Sequence, residues 1–154
     1  MTKWNNLLPK SWRAKHINFY APYLGAGIRL KDVDKYYRKF EVEMPLTSWN
    51  KNIKGVHFGG SLYSMCDPFF MWILMENLGK DYIVWDKAAQ IQFLKPGTGT
   101  VHATFEIEEE IIGSIRSELE VLIKKDYVFE AFILDSNNDK GAKVTKTVYV
   151  RKKS

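Results

Sequence analysis

Hydrophobic and polar residues alternate along several stretches of this sequence, the pattern of β-strands that bury one face and expose the other. The alternating stretches are residues 40–46, 89–93, 101–107, 128–134 and 142–150. The last two are joined by a polar segment and therefore predict a hairpin. Its outward face is predicted to carry Lys143, Thr145, Thr147 and Arg151. Together with a brief extended segment at 25–28, the pattern predicts a mostly antiparallel sheet of five or six strands.

Three other segments show helical spacing. Pro9 is followed by apolar residues at helical positions and starts a short helix that ends near Ala21. The segment from Gly59 to Gly79 is apolar on all sides and predicts a long buried helix. Residues 111–122 repeat apolar side chains at helical spacing behind a run of glutamates, which suits a helix N-terminus. A long helix covered by an antiparallel sheet makes the fold class α+β.

Length and composition are those of one folded domain. The chain has 154 residues, of which 45% are hydrophobic, so a core is possible and a largely disordered chain is excluded. We assign residues 1–24 to an N-terminal helical arm and residues 25–154 to a single domain. No apolar run approaches the roughly 20 residues of a transmembrane helix, and no secretory signal is recognisable. The expected location is the cytoplasm.

The net charge of +5 is concentrated at the ends of the chain. Residues 1–31 hold six basic and no acidic residues, residues 151–153 add three basic ones, and residues 32–150 are therefore at −4. Charge this localised is a weak guide to a partner, although a basic aromatic arm suits phosphate groups, a membrane surface or its own domain. No zinc-finger, RNA-binding or phosphate-loop motif accompanies it, so we expect no nucleic-acid partner.

The dipeptide Asp67-Pro68 interrupts the predicted buried helix. Proline lacks an N–H and clashes with the preceding turn, so it bends or breaks a helix. In one interpretation the bend directs the Asp67 carboxylate into a cleft. In the other the helix consists of two pieces, and Asp67 caps the second. The two interpretations are compatible, and the sequence leaves both open.

The segment GVHFGGSLYSMCDP, residues 55–68, resembles the entry to the central helix of hotdog-fold thioesterases, especially the phenylacetyl-CoA thioesterase-like group. The wider sequence, including DYIVWDKAAQIQFLKPGTGTV at 81–101, resembles an uncharacterised thioesterase-like branch of that superfamily over about residues 25–150. The resemblance implies a hotdog fold, in which the sheet wraps around a long central helix.

The same resemblance implies an acyl-CoA or acyl-carrier thioester as substrate and no cofactor. Gly59, with Gly60 beside it, falls where the family presents a backbone N–H to the thioester carbonyl, and Asp67 falls where it places a carboxylate for the attacking water. Free N–H groups at a helix N-terminus stabilise developing oxyanion charge. Asp67 lies about 12 Å along a helix from Gly59, and the family joins the two by taking each from a different subunit. The resemblance therefore implies a homodimer, or a tetramer of paired dimers.

Two polar residues before the helix are further candidates, each with a structural alternative. His57 is predicted to bond the thioester carbonyl or to act with Asp67 as acid and base; alternatively it is a loop histidine bonded to nearby backbone. Asn52 is predicted to orient water, as an amide does in related enzymes; alternatively it forms a turn. Hotdog dehydratases also have a His-Phe pair before glycine, but Gly59 and Asp67 disfavour dehydration here.

Apolar residues of the central helix are the candidates for an acyl channel, with plain core packing as the alternative. They are Met65, Phe69, Phe70, Met71 and Trp72. Cys66 is expected to be a buried structural residue, since the acid beside it opposes thiolate formation. The three histidines are far apart and no Cys-x-x-Cys pair occurs, so we expect no metal site.

Two functions follow from these observations. The first is hydrolysis of an acyl thioester by a homo-oligomer. The second is a non-catalytic acyl-thioester-binding or regulatory protein of the same fold, because fold alone does not establish activity.

Overall fold

The computed structural model describes residues 14–153. Its first elements are a 3₁₀-helix, His16–Phe19, and helix α1, Ala21–Ala26. The predicted N-terminal helix from Pro9 lies partly outside the described residues. Within them, helical structure resumes at Ala21 instead of ending there, because Pro22 occupies the first turn of α1, where a missing N–H costs nothing.

Six strands form one sheet. They are β1 Arg29–Val33, β2 Lys39–Pro45, β3 Tyr82–Phe93, β4 Thr100–Glu106, β5 Lys124–Leu134 and β6 Lys140–Lys152. Their order is β1-β2-β4-β5-β6-β3, and every neighbouring pair is antiparallel. The predicted sheet of five or six mostly antiparallel strands is confirmed, with β1 and β3 at its edges.

Alternating burial is clearest in β2 and β6. In β2, Phe40, Val42 and Met44 lie on the buried face. Every second residue of β6 is buried as well, but this face carries Lys146 between Val144 and Val148. A lysine on the inner face of a strand needs a polar partner inside the protein.

The central helical segment differs from the single helix predicted between Gly59 and Gly79. It consists of α2, Gly59–Ser64, and α3, Phe69–Leu78. Pro68 explains the interruption, because its ring and its missing N–H exclude a continuous helix. The two-piece interpretation is therefore confirmed, although Pro68 and not Asp67 occupies the N-cap position of α3.

Helix α3 is covered on several sides. It packs against β3, β4, β6 and α4, Glu109–Leu122. Phe69 stacks on Phe105 of β4 with ring centroids 4.9 Å apart, and Phe70 stacks on Phe129 of β5 at 5.1 Å. This packing buries the apolar side chains that α3 carries on all sides. Among residues 14–153, no helix is both long and apolar enough to span a membrane.

Strand β3 is longer than predicted and starts at Tyr82 instead of Ala89. A register shift between Asp86 and Ala88 breaks the period-two pattern, which hid the first half of the strand. β3 pairs only with β6, and its outer edge has no strand partner within the described part of the chain.

Candidate active site

Two glycines form the first turn of α2. The N–H groups of Gly59 and Gly60 have no acceptor inside the helix, and none elsewhere among residues 14–153. Close packing explains the residue type. A Cβ at Gly59 would lie 2.8 Å from Cζ of Phe93, and one at Gly60 would lie 2.5 Å from Cε1 of Phe58. The start of α2 therefore offers two free backbone donors at a crowded position.

A largely apolar cavity of about 690 Å³ lies beside Gly59. Its apolar wall consists of Val56, Leu62, Phe93, Leu94 and Pro96, and its polar wall of Asn52, Lys54, His57 and Lys95. The volume is within the range of small-molecule sites, roughly 300–1,000 Å³. The structure thus brings three predicted residues, Gly59, His57 and Asn52, to one cavity.

His57 is 2% exposed, and a hydrogen bond of its ring fixes its orientation. Its Nε2 lies 2.9 Å from the carbonyl oxygen of Gly99, which can only accept, so Nε2 carries the proton of the neutral ring. Nδ1 is buried without a partner in the described part of the chain. Burial lowers the pKa of His57, with the bond to Gly99 acting in the opposite direction. The neutral ring can accept a hydrogen bond at Nδ1 but has no free donor for a thioester carbonyl.

Asn52 organises the loop before α2. Its Oδ1 accepts hydrogen bonds from the N–H groups of Lys54 and Val56, at 2.8 and 3.3 Å, and its Nδ2 donates to the carbonyl of His57 at 3.4 Å. These contacts match the turn-forming alternative. They also occupy the amide with backbone partners, although the residue lines the cavity.

Asp67 lies in the interruption between α2 and α3. Its side chain is 48% exposed, and its Oδ1 is 2.8 Å from Nζ of Lys146. Its main-chain carbonyl accepts a hydrogen bond from the hydroxyl of Tyr23 in α1. This contact ties the described part of the predicted arm to the domain. The carboxylate is thereby held at one oxygen and stays open to solvent on its exposed side.

The ammonium of Lys146 joins Asp67 to a second carboxylate. Nζ lies 2.9 Å from Oδ2 of Asp86 on β3 and 3.3 Å from the hydroxyl of Tyr63 on α2. Burial alone lowers the pKa of Lys146, but its bonds to Asp67 and Asp86 outweigh burial and raise it. Burial likewise raises the pKa of Asp86, against the opposing effect of Lys146. We call Asp67, Lys146 and Asp86 the Lys146 triad.

Sequence reasoning missed Lys146 and Asp86. The signal was nonetheless present, since Lys146 has the same strand parity as Val144 and Val148. It is the one charged residue at an inward position between the predicted strand residues 142 and 150. Asp86 could not be found in this way because the bulge in β3 disturbs the alternation around it.

Within one chain the structure does not bring Gly59 and Asp67 together. The cavity beside Gly59 does not include Asp67, and the cavity of about 410 Å³ beside Asp67 is lined from α1, α2 and Pro68. This separation agrees with the length of α2 between the two residues.

The apolar candidates lie in the core and do not line the cavity beside Gly59. Met65, Phe69 and Phe70 are fully or almost fully buried, and Met71 and Trp72 pack against the same cluster. These positions match the core-packing alternative for the five residues, and an acyl channel lined by them stays a prediction. Cys66 is buried, and burial raises the pKa of its thiol. No group of three His, Cys, Asp or Glu side chains within residues 14–153 is arranged to hold a metal ion.

Comparison with known proteins identifies both a family and a fold. Residues 11–150 match the model of a family described as a domain of unknown function (DUF4442). No curated protein matches the sequence significantly.

Among solved structures, a protein of unknown function and probable thioesterase from Pseudomonas aeruginosa is 18% identical, with a TM-score of 0.81 over 94% of this chain and 97% of the other. The thioesterase HI1161 from Haemophilus influenzae is 14% identical, with a TM-score of 0.68 over 93% and 91% of the chains. The PaaI protein from the phenylacetic acid degradation operon of E. coli is 19% identical, with a TM-score of 0.61 over 93% of each chain. At these identities the likeness establishes the fold, and the predicted hotdog fold is confirmed.

Proposed function

This chain belongs to the DUF4442 family, and we propose that it is a thioesterase that hydrolyses an acyl-CoA or acyl-carrier thioester to the free acid and the thiol. The observation that carries the proposal is the pairing of two features on one helical segment. The free N–H groups of Gly59 and Gly60 lie at its start, and the half-exposed carboxylate of Asp67 lies at its interruption. The thioesterase names of the structural neighbours support the same reaction class. The cytoplasmic location and the lack of a cofactor stay predictions.

In the proposed reaction, Asp67 accepts a proton from a water molecule while the water oxygen attacks the thioester carbonyl carbon. The carbonyl oxygen becomes an oxyanion, which the N–H groups of Gly59 and Gly60 stabilise by hydrogen bonds. When the tetrahedral intermediate collapses, the carbon–sulfur bond breaks and the thiolate takes up the proton. The products are a carboxylic acid and a thiol, and water is the only other reactant.

The exposed edge of β3 supports a dimeric enzyme. The strand has 12 residues, its outer edge has no described partner, and it presents Trp85 and Phe93 to solvent. A long unprotected edge strand is a template for pairing with another chain. We propose that two copies pair antiparallel along β3.

Such pairing would bring the two halves of the site together. Phe93, near the C-terminal end of β3, contacts the position of Gly59, whereas Asp86, near the start, shares Lys146 with Asp67. In an antiparallel pair, the end of one strand lies opposite the start of the other. A register in which Gln90 lies opposite its own copy would bring Phe93 next to the bulge at Asp86 of the partner subunit. Gly59 would then face the carboxylate that the partner contributes.

The test is thiol release from acyl-CoAs with short, medium, long and aromatic acyl groups. We expect the Asp67→Asn variant to lose roughly 10²- to 10⁴-fold in kcat, the usual contribution of a general base. Asp32→Asn, which changes an exposed carboxylate on β1, is the matched control and should retain full activity.

Activity that persists in Asp67→Asn would place the base elsewhere, with His57 as the next candidate. If no acyl-CoA is hydrolysed and the wild-type protein still binds one at equilibrium, the non-catalytic binding protein becomes the better account. Those two results separate the site assignment from the function.

A further inference from the structure

The Lys146 triad places one lysine between two carboxylates, and its three residues come from different parts of the fold. Lys146 is fully buried on β6, Asp67 lies between α2 and α3, and Asp86 lies on β3. Burying an ammonium is costly unless it is paired, and a hydrophobic residue at this position of β6 would match its neighbours. A lysine here therefore needs an explanation beyond the filling of the core.

The two carboxylates are not equivalent. The Asp67 side chain is 48% exposed, whereas that of Asp86 is 21% exposed and its Oδ1 is buried with no hydrogen-bond partner within residues 14–153. Asp67 is therefore the more accessible of the two carboxylates to a water molecule. Each carboxylate accepts a hydrogen bond from the ammonium of Lys146 through one oxygen, at 2.8 Å for Asp67 and 2.9 Å for Asp86.

We propose that Lys146 and Asp86 are positioning residues for Asp67, an inference that rests on the proposed thioesterase function. Lys146 fixes Oδ1 of Asp67, which leaves the exposed part of the carboxylate turned toward water. Lys146 also places a positive charge 2.8 Å from Oδ1 of this carboxylate. Asp86 holds the second side of the ammonium and moderates its effect, because its own charge repels that of Asp67.

The charged and titratable groups that face Asp67 come from every element around it. They are Tyr23 of α1, Tyr63 of α2, the neighbouring Cys66, Asp86 of β3 and Lys146 of β6. Burial and the charge of Asp67 both raise the pKa of Tyr23, and burial raises that of the Cys66 thiol. Both groups are therefore neutral across the working range of a carboxylate base. Lys146 and Asp86 remain as the two charged groups beside Asp67.

Two variants should move the acid limb of the pH–rate profile in opposite directions. In Lys146→Met the two carboxylates face each other without a cation, so we expect the limb to move to higher pH by about 1–3 units. In Asp86→Asn the like charge is gone and Lys146 bonds Asp67 alone, so the limb should move to lower pH. In the double variant both neighbouring charges are absent, so the acid limb should lie between that of Lys146→Met and that of wild type.

The matched control is Lys143→Met. Lys143 lies on the same strand but on its outward face, where it pairs with Glu130. This variant should leave the acid limb unchanged, which would show that any shift in Lys146→Met comes from the triad and not from the net charge.

A titration that does not depend on activity separates this inference from the proposed function. The carboxyl ¹³C resonance of Asp67 is followed against pH in wild type and in each variant. The same opposite displacements would support the inference even if no thioester is hydrolysed. Unchanged titration and an unchanged acid limb, with only lower kcat or lower stability, would reduce the triad to a structural ion pair. If Lys146→Met does not fold, Asp86→Asn decides: a limb displaced to lower pH supports the inference, and an unmoved one overturns it.

Discussion

A single methyl group at Gly59 should test the predicted oxyanion site. The Cβ of Gly59→Ala would lie 2.8 Å from the ring of Phe93, which has to move away from the cavity wall that it forms. Displacement of a substrate-positioning group by about 1 Å can cost up to about 100-fold in rate. We expect kcat/KM for thioester hydrolysis to fall about 10- to 100-fold.

Gly113→Ala is the control for that variant. A Cβ at Gly113 has no atom within 4 Å, and the residue lies on α4, outside the cavities that Gly59 and Gly60 line. Its activity should equal that of wild type. If Gly59→Ala hydrolyses thioesters as fast as Gly113→Ala, the start of α2 is not where the carbonyl oxygen binds.

His57 should make stability dependent on pH. Burial lowers the pKa of the folded histidine below its ordinary value of 6.5, so the unfolded chain binds a proton at a higher pH than the folded chain does. As the pH falls through about 6.5, unfolding takes up a proton, and the free energy of unfolding decreases until the folded ring also titrates. Above this range the contribution is constant.

Urea unfolding between about pH 7.5 and about pH 5.5 measures this effect in wild type and in His57→Gln. The variant should lose the part of the decrease that starts near pH 6.5. An identical pH dependence in the two proteins would contradict the buried neutral ring.

The residues differ in how far their roles could be read from the sequence. Gly59 and Asp67 were accessible because a motif places them, and His57 because it precedes that motif. Lys146 was accessible in principle from strand parity. Asp86 was not, because its proximity to Asp67 depends on how β3 and β6 pair across the sheet. For the five apolar candidates the sequence left core packing and an acyl channel open, since no local pattern distinguishes a core side chain from a cavity-lining one.

At the level of elements, Gly113 offers a gain in stability. It lies inside α4, and a Cβ there would have no atom within 4 Å. Alanine has the higher helix propensity, so Gly113→Ala should raise the free energy of unfolding by about 0.5–1 kcal/mol. Denaturant unfolding gives the value directly.

Gly27→Ala provides the comparison of opposite sign. Gly27 ends α1 with a φ of 74°, and a Cβ there would lie 3.3 Å from Nδ2 of Asn50. This variant should be less stable than wild type. A loss of stability in Gly113→Ala as well would mean that α4 packs more tightly than the structure indicates.

The elements themselves were largely predictable wherever one pattern dominates. Alternation identified β2, β4, β5 and β6, and helical spacing identified α4. The errors occur where two patterns overlap. An all-apolar run has no polar–apolar periodicity that would distinguish two helices from one, and only Pro68 marked the interruption between α2 and α3. The bulge at Asp86 similarly concealed the first half of β3.

At the level of the whole molecule, the proposed dimer forms each active site from residues of both chains. The hydrophobic pattern along one chain describes only contacts within that chain, so it identifies neither the edge position of β3 nor a second copy that pairs with it. The separation of Gly59 from Asp67 along α2 gives the stronger reason for a second copy, because one small carbonyl group cannot contact both within one subunit.

Mixing two impaired variants tests this sharing. Asp67→Asn subunits keep a normal Gly59, and Gly59→Ala subunits keep a normal Asp67. If each site takes its glycine from one subunit and its carboxylate from the other, every mixed dimer contains one intact site and one doubly altered site. Random exchange of equal amounts gives about half mixed dimers, so thioesterase activity should recover to about one quarter of the wild-type value.

The recovery must depend on exchange between subunits. Subunits of each variant are therefore mixed under mild denaturant, refolded together, and compared with each variant refolded alone. If both groups of a site came from the same chain, every site in the mixture would carry one defect, and activity would stay at the mean of the two variants. Recovery above that mean can arise only when Asp67 of one subunit serves Gly59 of the other, which is the arrangement that antiparallel pairing of β3 would produce.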